Sequence, residues 1–419
     1  MTKTEDPAGV PQENKNNTAS TPDTGGGNPW KSRLPLLIAS HAAGTTNSVA
    51  ILSMAPVISA AFSLSAVQFG LFVSFYYSGQ AVWSVPAGGV TDKLGVGWAL
   101  VIGHAIMAAA ALLISFAPDF TTCQIAAFFM GVGYSMLNPS TARGVFEWFP
   151  AHRRGTAMGL KQVGVPIGGL MGAACGFLAA TVNWQSLMLA VGGIIAVNGL
   201  LCLTLVPIST RGGGARKNIA AVVTDGRVTA FAVGGGVINM GQTNFFGFLT
   251  LFLADAARMG QQTVSTAMAV AQAASAVGRV GWGVISDKAF GGRRIITMTF
   301  MCVAAAVFLA LMALLTDAWG FVLGFGLALC LGLTIASFAP VAQAIQVEMV
   351  SPHLAGSAVG YNMLWTHACA AAAPLMFGYA VDHWGGFDAG WLVTAGAVAL
   401  GTAGMFILVR TGPGRTQNR

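Results

Sequence analysis

The chain reads as an all-α membrane protein, with twelve transmembrane helices in two pseudo-symmetric six-helix bundles. Three observations predict this. Of 419 residues, 55% are hydrophobic and only 8% are charged, whereas a soluble domain carries about 25% charged residues. The apolar runs reach ~20 residues or more without alternating apolar and polar positions, which fits spanning helices and not a barrel. The chain also repeats itself. Gly88, Asp92 and Lys93 recur 195 residues later as Gly283, Asp287 and Lys288. At a spacing of 201 residues, Gly131, Pro139, Glu147, His152, Gly155, Ala157 and Gly159 fall without a gap on Gly332, Pro340, Glu348, His353, Gly356, Ala358 and Gly360. Two apolar halves of this kind can rock about a site between them, the architecture of alternating access.

The elements follow in order. Residues 1–32 are polar, with Pro, Asn, Thr and the run Gly25-Gly26-Gly27. They read as a disordered tail, because no short apolar core precedes a small-residue cleavage site. The first bundle, 33–206, places spans over 34–60, 67–90, 98–117, 122–149, 157–180 and 184–206. A linker over 207–227 follows, opening on Pro207 and carrying Arg211-Gly212-Gly213-Gly214, a flexible composition. The second bundle, 228–410, places spans over 228–253, 263–286, 295–316, 319–350, 356–380 and 389–409, and 411–419 is a second tail. Gly164-Val165-Pro166-Ile167-Gly168-Gly169 in the fifth span and the alanines of 368–373 before Pro374 in the eleventh are small-residue stretches. Lipid supplies little hydrophobic drive between helices, so such residues let backbones approach closely; Gly and Pro together also permit bending.

Orientation follows from Lys and Arg. An even number of spans puts both termini on one side. That side carries seventeen basic residues in tails and loops, among them Lys93, Arg153, Arg154, Lys288, Arg293 and Arg294, against Arg258 alone on the other. The termini are therefore expected in the cytoplasm, with the chain in the cell inner membrane. The same distribution accounts for the net charge of +7 without nucleic acid, since the charges flank spans and form no stripe. All six cysteines lie in expected spans without a Cys-x-x-Cys pair, reading as small buried residues and not as disulfides or metal ligands. No catalytic constellation, Walker loop or metal-spaced His cluster is visible, so neither an enzyme nor a cofactor or metal site is expected.

Three cations stand inside spans: Arg143, Lys161 and Arg279. Their repeat partners are Ala344, Asn362 and Ser84. Scaffold should repeat, and a substrate site need not. Each such cation costs about 2.5–3.5 kcal/mol on insertion scales, so it is normally kept for a function or a partner. At ~1.5 Å per residue, Arg143 and Lys161 lie about 9 Å, and Arg279 about 12 Å, in from the basic side. Converging from both halves, the three would form an anion site. Arg143 and Glu147, four residues apart, also read as a pair on one helix face, and Lys161 also reads as a snorkelling side chain. Asn47, Gln242, Asn244, Asn362 and Trp365 are candidate wall residues of a polar cavity. Glu147 and Glu348 recur in both halves, which favours structure, yet with His41 and His367 they are the candidates for carrying a proton.

The loop pattern Gly88-x-x-x-Asp92-Lys93-x-Gly95, and its copy Gly283-x-x-x-Asp287-Lys288 followed by Arg293-Arg294, resemble the signature of the major facilitator superfamily. So do Trp148-Phe149-Pro150 with Arg153-Arg154-Gly155, and Gly378-x-x-x-Asp382. The resemblance covers about residues 33–410 and implies that these loop residues latch the cytoplasmic side, with Glu147 and Glu348 as partners. Val96, Gly97 and Trp98 replace the usual basic ending of the first copy. Gly278 to Lys288 resembles the eighth span of oxalate/formate and monocarboxylate carriers, which implies that Arg279 meets a substrate carboxylate. Arg143 ahead of Trp148-Phe149-Pro150 resembles the fourth span of organic anion symporters. The chain departs from both: the eleventh span has His367 and no Lys, and the first has Asn47 and no acid. What the resemblance implies is a secondary transporter, working as a single chain in the bilayer, that imports a small organic anion, a carboxylate, with protons. A proton-driven exporter of amphiphilic compounds and an anion exchanger are the alternatives.

Overall fold

The computed structural model describes residues 28–209, 222–315, 320–351 and 354–411. The expected tails 1–32 and 411–419, the linker 207–227 and His353 lie wholly or largely outside the described residues.

The described chain is helical throughout, and twelve spans are present, although fewer are obvious from length and apolarity. The first is broken, with Pro29–Ser53 meeting Ala55–Phe62 at an angle of 57°. Pro56 sits in the first turn of the second piece, where its missing N–H and its ring prevent the first piece from running through. Spans two and three form one continuous helix, Ala66–Ser115, interrupted at Gly95 by φ 83° and ψ 169°. Only glycine adopts that backbone readily, which is why the loop motif ends on it. Span four is Phe120–Trp148, span six Trp184–Leu205, span seven Gly226–Ala256, span nine Arg294–Met312, span ten Gly320–Met349, span eleven Ser357–His383 and span twelve Phe387–Ile407. Span five is assembled from Arg154–Gln162 and Gly164–Leu178. Span eight, Gln261–Lys288, is the most polar, and it carries Arg279.

The repeat is visible in the geometry. Span four breaks between Ser135 and Leu137. Span ten breaks at the equivalent place, through Ile335–Ser337, before Ala339–Met349. Pro139 and Pro340 follow the two breaks at matching positions.

Close approach builds each half. On span five, Gly164, Gly168, Gly172 and Gly176 recur every fourth residue and face span one. A Cβ on Gly164 would come within 2.2 Å of the Ile38 carbonyl oxygen, and one on Gly168 within 2.2 Å of that of Ala42. The small-residue stretch is therefore a packing seam, and its gain is dispersion between backbones. In the second half, aromatic rings fill the space between spans seven, eleven and twelve: Phe248 stacks on Phe377 at 4.2 Å, and Trp391 meets Phe377 edge-on at 4.8 Å.

The two halves are joined on the side away from the termini. Gln261 Nε2 donates to the carbonyl oxygens of Ser53 (2.8 Å) and Gly176 (2.9 Å). Thr250 donates to the Leu52 carbonyl at 2.5 Å. Asp382, at the end of span eleven, accepts from the backbone N–H groups of Ala66 and Val67 at 3.2 and 3.1 Å. These are the first N–H groups of span two, which have no partner within their own helix. On the terminal side, Gly155, Gly159, Gly281, Gly283 and Gly360 have nothing within 4 Å of where a Cβ would sit.

Candidate substrate site

Arg279 projects from the middle of span eight and is half-buried. Its Nε lies 3.4 Å from Ser275 Oγ and its Nη2 3.5 Å from the Ala336 carbonyl oxygen. Both are long, neutral contacts for a group with five donors. No described carboxylate pairs with it.

From the other half, His41 and Tyr134 come within electrostatic reach of Arg279, and Lys161 within reach of His41. Two of the three expected cations thus approach one region from opposite halves. Tyr134 belongs to an aromatic group with Tyr76 and Tyr77, with centroids 6.1 Å and 5.1 Å apart. Tyr77 lies beside Thr243 of span seven, across the halves. Gln272 of span eight lies against Gly169 of span five, where a Cβ would come within 2.4 Å.

Lys161 does not snorkel. It is 1% exposed, and its Nζ donates to Thr141 Oγ1 at 3.0 Å. His41 is fully buried, with its Nε2 2.9 Å from the same oxygen.

Arg143 keeps different company. Its Nη1 bonds Asp92 Oδ1 at 2.9 Å and the Thr91 carbonyl at 3.1 Å, and its Nε bonds Glu147 at 2.6 Å. The expectation that all three cations converge is corrected here. Two acids lie within reach of Arg143, which ties span four to Asp92 at the end of span two. Glu147 is a member of that cluster, held by Arg143 and not by Lys93, which is exposed. In the second half, Arg294 pairs with Glu348, joining the loop after span eight to the end of span ten. Asp287, Lys288 and Arg293 are exposed, Gly283 is exposed and Gly88 is buried.

The amide candidates divide. Asn47 is buried inside the first half, with Nδ2 3.4 Å from the Met107 carbonyl and Oδ1 without a partner. Asn244 turns into the second half and donates to Thr394 at 2.9 Å. Each finds its partner on a neighbouring span of its own bundle. Asn362 and Trp365 are half-buried, and the Asn362 Oδ1, Trp365 Nε1 and His367 Nδ1 atoms are buried without partners. Gln242 is half-buried. Thr141, Tyr134 and Gln261 were not among the residues expected from sequence. A lone Thr, Tyr or Gln in an apolar helix carries no periodic signal, and each of these makes a contact more than 80 positions away in the chain.

The family model described as Major Facilitator Superfamily matches residues 36–332 and 231–419. The chain belongs to the major facilitator superfamily. It is a transport protein and not an enzyme. The hexuronate transporter of Bacillus subtilis (strain 168) is 24% identical over 412 residues, 91% of this chain and 95% of that protein. The 3-(3-hydroxy-phenyl)propionate transporter of Escherichia coli (strain K12) is 30% identical over 154 residues, which span only 37% of this chain and 36% of that one. A bacterial homolog to the human lysosomal transporter Spinster, in an inward-facing and unoccupied conformation, aligns with a TM-score of 0.75 and 15% identity, covering 92% of this chain and 98% of that one. That structural likeness carries the superfamily fold.

Proposed function

We propose that this superfamily member imports a small organic carboxylate together with protons, across the cell inner membrane, with both termini in the cytoplasm and a single chain as the working unit. The observation that carries the reading is Arg279: a mid-span guanidinium within electrostatic reach of Tyr134 of the other half and without a carboxylate partner among the described residues. A planar fork of donors matches a carboxylate in two-point contact. Supporting it, the hexuronate and hydroxyphenylpropionate relatives are named for carboxylate substrates. The tyrosines and Gln272 supply an aromatic and polar wall for the organic body. Asn362, Trp365 and His367 offer unmatched polar atoms from span eleven. The excess of basic residues beside the spans on the terminal side supports the orientation.

The test is uptake of radiolabelled hexuronates and aromatic propionates into proteoliposomes, driven by an inward proton gradient. Gradient-dependent uptake by the wild type, lost in Arg279→Ala at equal protein level, is the expected result. Full uptake by Arg279→Ala would refute the site, and dye efflux without uptake of any carboxylate would favour an exporter.

A further inference from the structure

Transport with protons needs a group that can gain and lose one, and the two glutamates are poorly placed for it. Glu147 is bonded by Arg143 and Glu348 by Arg294, so protonating either one sacrifices an ion pair. We infer that Lys161, linked through Thr141 to His41, is the proton-carrying group; the inference rests on the proposed anion–proton import.

The argument is geometric. Lys161 is among the largest fully buried side chains of the molecule. Its one hydrogen bond goes to a neutral hydroxyl, Thr141 Oγ1. An ammonium has three donors to satisfy and a charge to offset, and here a single bond serves both needs. A buried amine tolerates this environment, whereas a buried, unpaired ammonium does not without an incoming negative charge.

Thr141 also fixes the state of His41. Its hydroxyl hydrogen goes to the Leu137 carbonyl at 2.7 Å. Its oxygen is therefore an acceptor toward both Lys161 and His41, so the network assigns the hydrogen of the His41 ring to Nε2. His41 Nδ1 is then a bare acceptor, buried and without a partner. A proton on Nδ1 and one on Lys161 Nζ would place two cations on one hydroxyl, so the pair holds one extra proton at most.

The titratable groups on the surrounding elements agree. Span one brings His41. Span four brings Tyr134 and Arg143, which is held between Glu147 and Asp92. Span three brings His104, which donates from Nδ1 to Leu100 and meets Asn198 at 2.8 Å. Span eight brings Arg279, from the other half, within electrostatic reach of His41. An anion bound at Arg279 adds a negative charge to this region, which favours the protonated form of the buried amine. Arrival of the carboxylate draws a proton from water onto the Lys161 Nζ lone pair, and departure of the carboxylate returns it to water. Lys161 lies eight residues, about 12 Å, from Gly169, where span five meets span eight. The rocking of the halves therefore acts on the helix that holds it.

Two measurements on the full chain test this. In detergent, with ¹⁵N-labelled lysine and Lys161→Met to assign the signal, the Lys161 Nζ resonance should switch between amine and ammonium when a hexuronate is added at fixed pH. An Nζ that stays in one form, with the ligand bound, overturns the proposal. In proteoliposomes, Lys161→Met and Lys161→Arg should exchange labelled for unlabelled anion yet lose gradient-driven accumulation. In the wild type, one proton per anion gives about tenfold more accumulation per pH unit, a ratio equivalent to 1.4 kcal/mol. Glu147→Gln and Glu348→Gln should keep that tenfold response. Accumulation by Lys161→Arg equal to wild type overturns the inference, because a guanidinium does not deprotonate. A wild type that binds and moves no carboxylate refutes the import reading itself, and with it the role of Lys161.

Discussion

Replacing Gln261 with Met should open the side of the molecule away from the termini. Gln261 belongs to the second half, and both of its carbonyl partners belong to the first. Those carbonyls lie in the last turns of helices, at Ser53 and Gly176, where the regular intrahelical N–H partners run out. Methionine keeps the length and the packing but donates nothing. Each neutral, partly buried hydrogen bond contributes about 0.5–1.5 kcal/mol net, so the two together hold the seal by about 1–3 kcal/mol. That amounts to a shift of roughly 5- to 150-fold in the ratio of closed to open far side. Thr250 and Asp382 remain, so the shift should fall short of complete opening.

Spin labels at Val182→Cys and Gln262→Cys report the separation of the halves on that side, because both positions are exposed there. The wild type should give mainly the short distance, and Gln261→Met a second, longer population. A distance distribution unchanged by Gln261→Met would refute the reasoning, since it would mean that the amide bonds carry no difference between the two states.

Other expectations follow from the same geometry. Arg143→Ala should change anion affinity by less than about twofold while altering the rate of conformational exchange, measured by equilibrium binding and by counterflow; a loss of binding beyond tenfold would return Arg143 to the substrate site. Glu348→Arg and Arg294→Glu should each slow transport modestly and the double exchange should restore it, because a pair this exposed, with Glu348 at 56%, contributes less than about 1 kcal/mol. Gly168→Val should lower the thermal midpoint in detergent through overpacking of about 1–3 kcal/mol or more against the Ala42 carbonyl, whereas Gly193→Ala, with nothing within 4 Å, should be neutral.

How much of this was legible in the sequence depended on whether a feature was periodic or paired. The superfamily motif was legible because it occurs twice at one spacing. The Gly95 that ends its first copy was legible as a residue, but the φ that requires it was not. The depth of each cation followed from the helical rise alone. Its direction did not. The helical rise puts Lys161 and Arg279 in one layer, yet nothing local tells that Lys161 turns inward to Thr141, twenty residues away in the chain. Arg143 shows the limit best: its pairing with Glu147 was visible as an i,i+4 contact, and its pairing with Asp92, 51 residues earlier, was not. That second acid is what ties Arg143 to the end of span two and takes it from the substrate layer.

The division of labour among the three cations follows from their partners. A cation that meets two carboxylates is already neutralised, and an incoming anion gains little from it; this is Arg143. A cation that meets a hydroxyl and a carbonyl at 3.4–3.5 Å keeps its charge because guanidinium cannot lose it; this is Arg279, fitted to hold an anion whatever the pH. A cation that meets one hydroxyl, deep in the bundle, can shed its charge; this is Lys161. In the proposed import, anion binding and proton uptake are coupled by electrostatics: the fixed charge attracts the substrate, and the substrate stabilises the second charge. For a monocarboxylate the loaded site carries no net change in charge relative to the empty one. Such a cycle needs no buried acid, and the first span has none where the organic anion symporters carry one.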